Sequence, residues 1–404
     1  MRRRPVESLA GYPWLVVGVA TFAQAATAFA FLGVGALAGF FQEAFDLSGA
    51  QTGLIVTAVG LVPLFALIPV GRLLDRHGER GIVAGGALLL AAGVGAAALA
   101  PSYPLLLLLL LLGGAGYATS QPGGSKAVAG WFTARRRGLA MAIRQTGLPL
   151  GGASAAAVLP ALAAAVSWES ALATAALVTA IGGIAFFVLY RQRGGSRDED
   201  YRLSFHLRGL LAAPGMRAAL WAGLAMVGTQ FCIISYLMLF LRDVHGLPLT
   251  RGAWFLFATQ LAGAAGRVVL GAWSDRLGPG RRMWPVGVSL VVAASSVFTL
   301  PLLPAGAYGG LAVLSVGLGF FAFGWYGPWV VHVAEVAPAQ AVGLTLALAM
   351  TANQLGIVGA PPLFGLVLDV SGTYLLPWWL LALLMVVAAL RVGAGLRRGR
   401  GEAL

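Results

Sequence analysis

The chain has 404 residues, 59% hydrophobic and 10% charged, with a mean hydropathy of +0.85; a soluble domain is about a quarter charged, so soluble classes are excluded. A net charge of +13 and a pI near 10.9 would suit a nucleic-acid partner in a soluble protein, but here the basic residues form short tracts between uncharged runs, which excludes that partner. Cys232 is the only cysteine, which excludes an intramolecular disulfide or a cysteine metal site.

Runs long enough to cross about 30 Å of hydrocarbon predict twelve helices. The first, 13–41, follows Arg2, Arg3 and Arg4 and is too long for a signal-peptide core, so it is expected to persist as a span. The others are predicted at 49–72, 81–100, 104–130, 138–166, 170–190, 217–241, 252–273, 284–303, 306–335, 341–368 and 374–392. Arginines crowd alternate connections: Arg72, Arg76 and Arg80; Arg135 to Arg137; Arg191 to Arg217; Arg276, Arg281 and Arg282; and Arg391 to Arg400. Pro101 to Pro104 and Ser167 to Ser170 carry no Lys or Arg. This positive-inside alternation predicts a multi-pass protein of the cell (inner) membrane with both termini cytoplasmic. The polar stretch 191–216 divides the chain into a first bundle, 1–190, and a second, 217–404.

An internal repeat supports the division. Gly71-Arg72-Leu73-Leu74-Asp75-Arg76-His77-Gly78 follows the second predicted helix, and Gly271-Ala272-Trp273-Ser274-Asp275-Arg276-Leu277-Gly278 follows the eighth, 200 residues later. Gly138-Leu139 and Gly151 recur as Gly343-Leu344 and Gly356 at an offset of 205. Duplicated bundles of this kind place a solute site at the repeat interface near mid-membrane.

The twice-written Gly-x-x-x-Asp-Arg-x-Gly loop resembles the signature of the major facilitator superfamily, and Gly147-Leu148-Pro149-Leu150-Gly151-Gly152 resembles its fifth-helix motif. The resemblance spans essentially the whole chain. It implies an all-α membrane protein of twelve transmembrane helices in two pseudo-symmetric six-helix bundles. It also implies that Asp75 meets the start of the eleventh helix and Asp275 the start of the fifth while the cytoplasmic side is closed. Gly71, Asp75, Arg76, Gly78, Gly271, Asp275, Arg276 and Gly278 are thus expected to set a conformational balance, a carboxylate facing a helix N-terminus being the physical basis. A solvated turn is the plainer alternative.

Ionisable groups within hydrocarbon are costly and mark pathways. All fourteen acids fall in tails, loops or helix ends, whereas Lys126, Arg144 and Arg267 lie inside apolar stretches. Only fifteen residues, about 22 Å of helix, separate Arg251 from Arg267, so the eighth span must carry Arg267 into the membrane. Lys126 is the only lysine among the 27 basic residues. Three cations without nearby acids are expected to accept an anion, the guanidinium bidentately. Snorkelling, or a gate in which Lys126 or Arg144 meets Glu335, is the alternative. His332 with Glu335 is the one candidate proton relay; a packed or capping histidine is its plainer reading.

Gln24, Gln145, Gln230, Tyr236, Trp325, Tyr326, Asn353 and Gln354 are the polar and aromatic groups that could complete a pocket or bond helix to helix. Gly266-Arg267 before Gly271 resembles the eighth-helix arginine of the monocarboxylate and oxalate/formate branches, and Phe364-Gly365, Asp369 and Gly372-Thr373-Tyr374 resemble their helix 11–12 segment. The oxalate/formate lysine on helix eleven has no match, since neutral Asn353 and Gln354 stand there. Walker, HExxH and Cys/His metal motifs are missing, so neither an enzyme nor a cofactor is expected. The expected function is alternating-access transport of a small organic anion, a mono- or dicarboxylate, by a monomer, as symporter or antiporter with a coupling proton or counter-anion. Efflux of lipophilic compounds is the alternative, and a non-transporting receptor a more distant one.

Overall fold

The computed structural model describes residues 11–132, 134–192, 215–337 and 342–401. Among these the structure is helical, and twelve helices are long and apolar enough to cross a membrane. We number these spans α1 (Tyr12–Ala36), α2 (Gly49–His77), α3 (Glu79–Ala97), α4 (Tyr103–Ala129), α5 (Leu139–Ala165) and α6 (Trp168–Leu189). The second six are α7 (Met216–His245), α8 (Leu249–Leu277), α9 (Met283–Leu302), α10 (Tyr308–Val336), α11 (Val342–Ser371) and α12 (Leu375–Gly401). The predicted linker 191–216 lies almost wholly outside the described residues, as do Arg2 to Arg4.

Helices dominate because hydrocarbon offers no partner for a free peptide group. Their packing rests on small residues. A Cβ on Gly53 of α2 would stand 2.5 Å from the backbone of Pro361 and Pro362, so only glycine lets α2 and α11 approach this closely. The repeated loop folds the same way twice. Gly78 and Gly278 adopt φ +80° and +75°, a region that favours glycine, and each N–H closes a helix by donating to Leu74 O and Ser274 O.

Two helices at equivalent positions in the repeat are broken. α4 loosens at Ala118 and Thr119, and α10 passes through a π-helical turn at Gly319–Phe323. Such turns release carbonyls from the regular ladder and favour functional positions.

The hydrogen bonds and ion pairs that join the two halves, among the described residues, begin at the arginine-poor end. Asp369, near the end of α11, accepts from Gly49 N (2.6 Å) and Ala50 N (2.8 Å) at the start of α2. The Tyr236 hydroxyl is shared between Gly49 O (2.8 Å) and Pro361 O (2.9 Å). Arg242 donates to Glu43 and Gln42, both at 2.8 Å. Further in, Thr57 Oγ1 donates to Val358 O (2.6 Å) and Gln354 Nε2 to Gly60 O (3.1 Å). On the α5–α8 side the last junction is Arg267 to Gln145 O, at 3.4 Å. The α2–α11 seam thus reaches roughly 16 Å from the start of α2. Beyond it, a Cβ added at Gly71 or Gly271 would meet nothing within 4 Å.

Candidate functional site

A cavity of about 130 Å³ lies between the halves at the inner limit of this seam. It is lined from α1, α2, α4 and α5 on one side and α7, α8, α10 and α11 on the other. Its wall is mostly hydrocarbon and aromatic: Phe31 stacks on Tyr117 (3.8 Å, 4°) and meets Phe231 edge-on (5.7 Å, 69°).

The broken helices position the charges. In α10 the turn presents Ala322 O to Gln230 Nε2 (2.5 Å) and Phe323 O to Arg267 Nε (3.3 Å). The Arg267 guanidinium also lies over the Tyr326 ring, 5.5 Å from its centroid, a cation–π arrangement that holds it without neutralising it. Just after the break in α4, Ser120 O and Gln121 O accept from Arg144 Nη2 (3.0 and 3.1 Å), while Gln121 Oε1 and Ser125 Oγ accept from Nη1 (3.1 and 2.9 Å). Each half therefore sets one guanidinium against one broken helix.

The two arginines are not equivalent. Arg144 is fully buried, does not line the cavity and spends its terminal nitrogens on four protein bonds. Arg267 lines the cavity and makes two long bonds to backbone oxygens, and a guanidinium carries five N–H donors. Neither has a carboxylate within salt-bridge distance among the described residues. Tyr117 and Tyr326 line the cavity together with Arg267.

Other expected positions fall differently. Gln230, Tyr326, Asn353 and Gln354 line the cavity with Arg267; Gln24, Gln145, Tyr236 and Trp325 do not. Gln24 donates to Gln121 and Gln145, which joins α1 to α4 and α5, and Tyr236 belongs to the seam. Trp325 is packed at 0% exposure. Lys126, expected to share the solute layer, does not line this cavity. Its ammonium lies 2.5 Å from Asp75, 3.8 Å from Glu79 and 3.1 Å from Leu74 O, because its flexible stem reaches the α2–α3 turn.

The repeat acids also pair within their own halves. Asp75 takes Lys126, and Asp275 takes Arg282 at 2.6 Å. The contacts expected with the start of the fifth and eleventh helices are not made among the described residues; part of the latter start, 338–341, lies outside them. Glu335 likewise bonds Arg282 (3.0 Å) rather than Lys126 or Arg144. Arg282 stands just outside α9, where burial lowers its pKa but the bonds to Glu335 and Asp275 outweigh this and raise it overall. Arg76 and Arg276 are exposed, and His332 abuts Gly215 at the start of α7. Tyr117, Gln121 and Gln260 line the cavity although the sequence pattern does not single them out; Pro122, with no N–H for Ala118 O, and the Gly/Ser-rich run around it are the visible signals of the α4 break.

Twelve spans, a duplicated loop and a cavity between two halves describe a two-bundle carrier, and a family model described as Major Facilitator Superfamily matches residues 20–361. The chain belongs to the Major Facilitator Superfamily. An uncharacterized MFS-type transporter of Mycobacterium tuberculosis is 29% identical over 88% of this chain and 79% of its own. The 3-(3-hydroxy-phenyl)propionate transporter of Escherichia coli is 25% identical, with 82% and 81% covered. The gentisate transporter of Corynebacterium glutamicum is 25% identical, with 83% and 76% covered. A crystal structure of a bacterial homolog of the human lysosomal transporter Spinster, inward-facing and occupied, superposes with a TM-score of 0.80. It is 17% identical and covers 96% of this chain and 97% of its own, which speaks for the fold. This superfamily member is a multi-pass membrane transporter and not an enzyme.

Proposed function

We propose that the protein is a secondary active transporter that moves a small organic anion, a mono- or dicarboxylate, by alternating access between the bundles 1–190 and 217–404. One observation carries this reading: Arg267 lines the cavity with donors to spare and no carboxylate beside it. An unneutralised guanidinium in a low-dielectric cavity favours an anionic ligand and disfavours a cation. Relatives named for 3-(3-hydroxy-phenyl)propionate, gentisate, L-galactonate and hexuronate support an organic acid as cargo.

In this reading the arginine-rich end faces the cytoplasm, and both termini lie there in the cell membrane. The conformation is then closed outside and open inside. Asp75 and Asp275 exchange their present partners for the opposite half when the inner side closes, and Glu335 leaves Arg282 at the same step. A coupling proton would use His332 and Glu335; otherwise a counter-anion shares the Arg267 site, and the monomer suffices for either. The aromatic wall favours a second reading, efflux of lipophilic compounds.

One experiment separates the two. Uptake of radiolabelled carboxylates into proteoliposomes is measured for the parent protein and Arg267→Gln, with folding checked by size-exclusion chromatography. Carboxylate uptake lost at least tenfold in the variant supports anion transport; equal uptake by the two, or flux of neutral lipophiles alone, refutes it.

A further inference from the structure

The carboxamide of Gln121, just after the break in α4, is held in one orientation. Arg144 Nη1 donates to Gln121 Oε1 and Arg144 Nη2 to the backbone oxygen of the same residue, both at 3.1 Å. A guanidinium has donors and no acceptor, so the branch of the amide that meets it is the oxygen. Gln24 Nε2 reaches the same Oε1 at 3.2 Å. The side-chain bonds that join Gln121 to α1 and α5 therefore all use its oxygen. Its Nε2 has no hydrogen-bond partner among the described residues, yet it is not sealed from solvent as both amide atoms of Asn353 are. Gln121 lines the cavity, so this nitrogen opens there.

The neighbouring amides are set the other way, since Gln230 and Gln354 use their nitrogens on Ala322 O and Gly60 O. Gln121 is thus the hydrogen-bonded amide of this wall whose nitrogen keeps no protein partner. It belongs to the first half, whereas Arg267 brings its donors from the second. A buried charge adds to this difference. Arg144 is fully buried with no carboxylate within salt-bridge distance among the described residues. The amide dipole lies with its oxygen on that guanidinium and its N–H end turned away. Hydrogen bonds in series polarise one another, so the cation strengthens the donor that the cavity receives. The donors of the two halves also meet through one set of side chains. Gln24 Nε2 donates to Gln121 and, at 3.3 Å, to Gln145 Oε1, while Gln145 O accepts from Arg267.

We propose that Gln121 is a second binding residue for the anion, its Nε2 donating to the carboxylate that also meets Arg267, and that Arg144 is the positioning residue that keeps this amide donor-outward. The inference rests on the anion reading above. The anion then ties α4 of the first half to α8 of the second, on the side where the protein's own junction is the 3.4 Å contact of Arg267 with Gln145 O. Cargo, not protein, completes the bridge there, so loading favours the arrangement in which both donors reach it. Arg144 acts on the cargo without touching it, through an amide that carries no net charge.

The test is equilibrium binding of acetate, lactate, succinate and benzoate to the full-length purified protein, with variants compared on the tightest of the four. Gln121→Glu keeps the size of the side chain and an oxygen for Arg144 and Gln24, but removes the donor and adds a like charge. It is expected to elute folded on size exclusion and to bind about 10- to 100-fold more weakly, as loss of a hydrogen bond to a charged group requires. Gln121→Met, which removes the donor without adding charge, is expected to lose at least about tenfold. In an Arg144→Met background, measured on the folded fraction, Gln121→Met is expected to cost less than about threefold more, because the amide is no longer held donor-outward. A full further loss there overturns the positioning role of Arg144. Affinity within about threefold of the parent in either folded single variant overturns the assignment of Gln121 and leaves anion transport standing. Failure of all four carboxylates to bind, or binding unaffected by Arg267→Gln, overturns the anion reading and this inference with it. Where Gln121→Met does not fold, Gln121→Glu decides, since a residue that only joined helices would keep its bonds and the parent affinity in that variant.

Discussion

Two arginines that look alike along the chain do different work in the structure. Arg144 donates to two carbonyls and two side chains of α4, and Arg267 makes fewer bonds and is left with donors to spare at the cavity. Arg144→Met is therefore expected to cost about 3 kcal/mol, since several charge-assisted bonds are lost and buried acceptors stay unpaired. A fall in the thermal midpoint of the purified variant, together with less folded protein on size exclusion, checks this. Arg144→Lys is expected to recover little, because an ammonium cannot reproduce the fork of contacts. Lys126→Ala has the opposite signature: substrate affinity unchanged, and stability altered by less than about 1 kcal/mol, because its partner Asp75 is largely solvated. A large rise in KM for Lys126→Ala would return this residue to the solute layer. Composition and span length suffice to place Arg267 inside the membrane. They do not separate Arg144 from Arg267, because donor satisfaction depends on which carbonyls and side chains of another helix lie within reach, and that is set by packing.

The helix pair α2–α11 shows what small residues achieve within a span. Gly53 lies against the backbone of Pro361 and Pro362, where nothing can shift to admit a methyl group. Gly53→Ala is expected to push the two helices apart and weaken the seam by about 1–3 kcal/mol, the usual cost of overpacking. Reduced cross-linking between cysteines placed on α2 and α11 near this level would register the separation. Tyr236 and Thr57 would share in the loss, because their acceptors belong to the same seam. The spans themselves are legible in the sequence, and observed boundaries depart from expectation mainly by extending helices into loops, as at His77 and Leu277. The breaks in α4 and α10 carry a residue signal, Pro122 and Pro328, each without an N–H for the carbonyl four residues back; the π turn that precedes the second is not legible, because it depends on the packing of neighbouring helices.

Across the whole molecule, the carboxylate-to-helix contact expected at the arginine-rich end has a counterpart at the opposite one. Asp369 caps the start of α2 from the far half, whereas Asp75 and Asp275 stay with partners of their own halves. The duplicated loop was readable because both copies are written in sequence. The Asp369 contact was not, since it joins residues 319 and 320 positions apart through packing alone. Asp369→Asn keeps the shape but removes the charge facing the helix N-terminus, an interaction of about 1 kcal/mol at this exposed position. A shift of about fivefold away from the present conformation is expected, read from spin-label distances between the α1–α2 and α11–α12 connections. An unchanged distance distribution would mean that Tyr236 and Arg242 hold that end alone.

The acid-free surroundings of Arg267 have an electrical consequence. No carboxylate stands within bonding distance among the described residues to take up a proton as the charge is exposed to one side or the other, and a guanidinium keeps its own. Arg144 is a second guanidinium without a carboxylate, so for a carrier of monoanions the empty pair of arginines carries two positive charges and the loaded pair one. A potential of 100 mV acts on one full charge with about 2.3 kcal/mol. The return of the unloaded protein is then the step on which voltage acts more strongly. Exchange of anion for anion is expected to respond less to an imposed potential than net flux does.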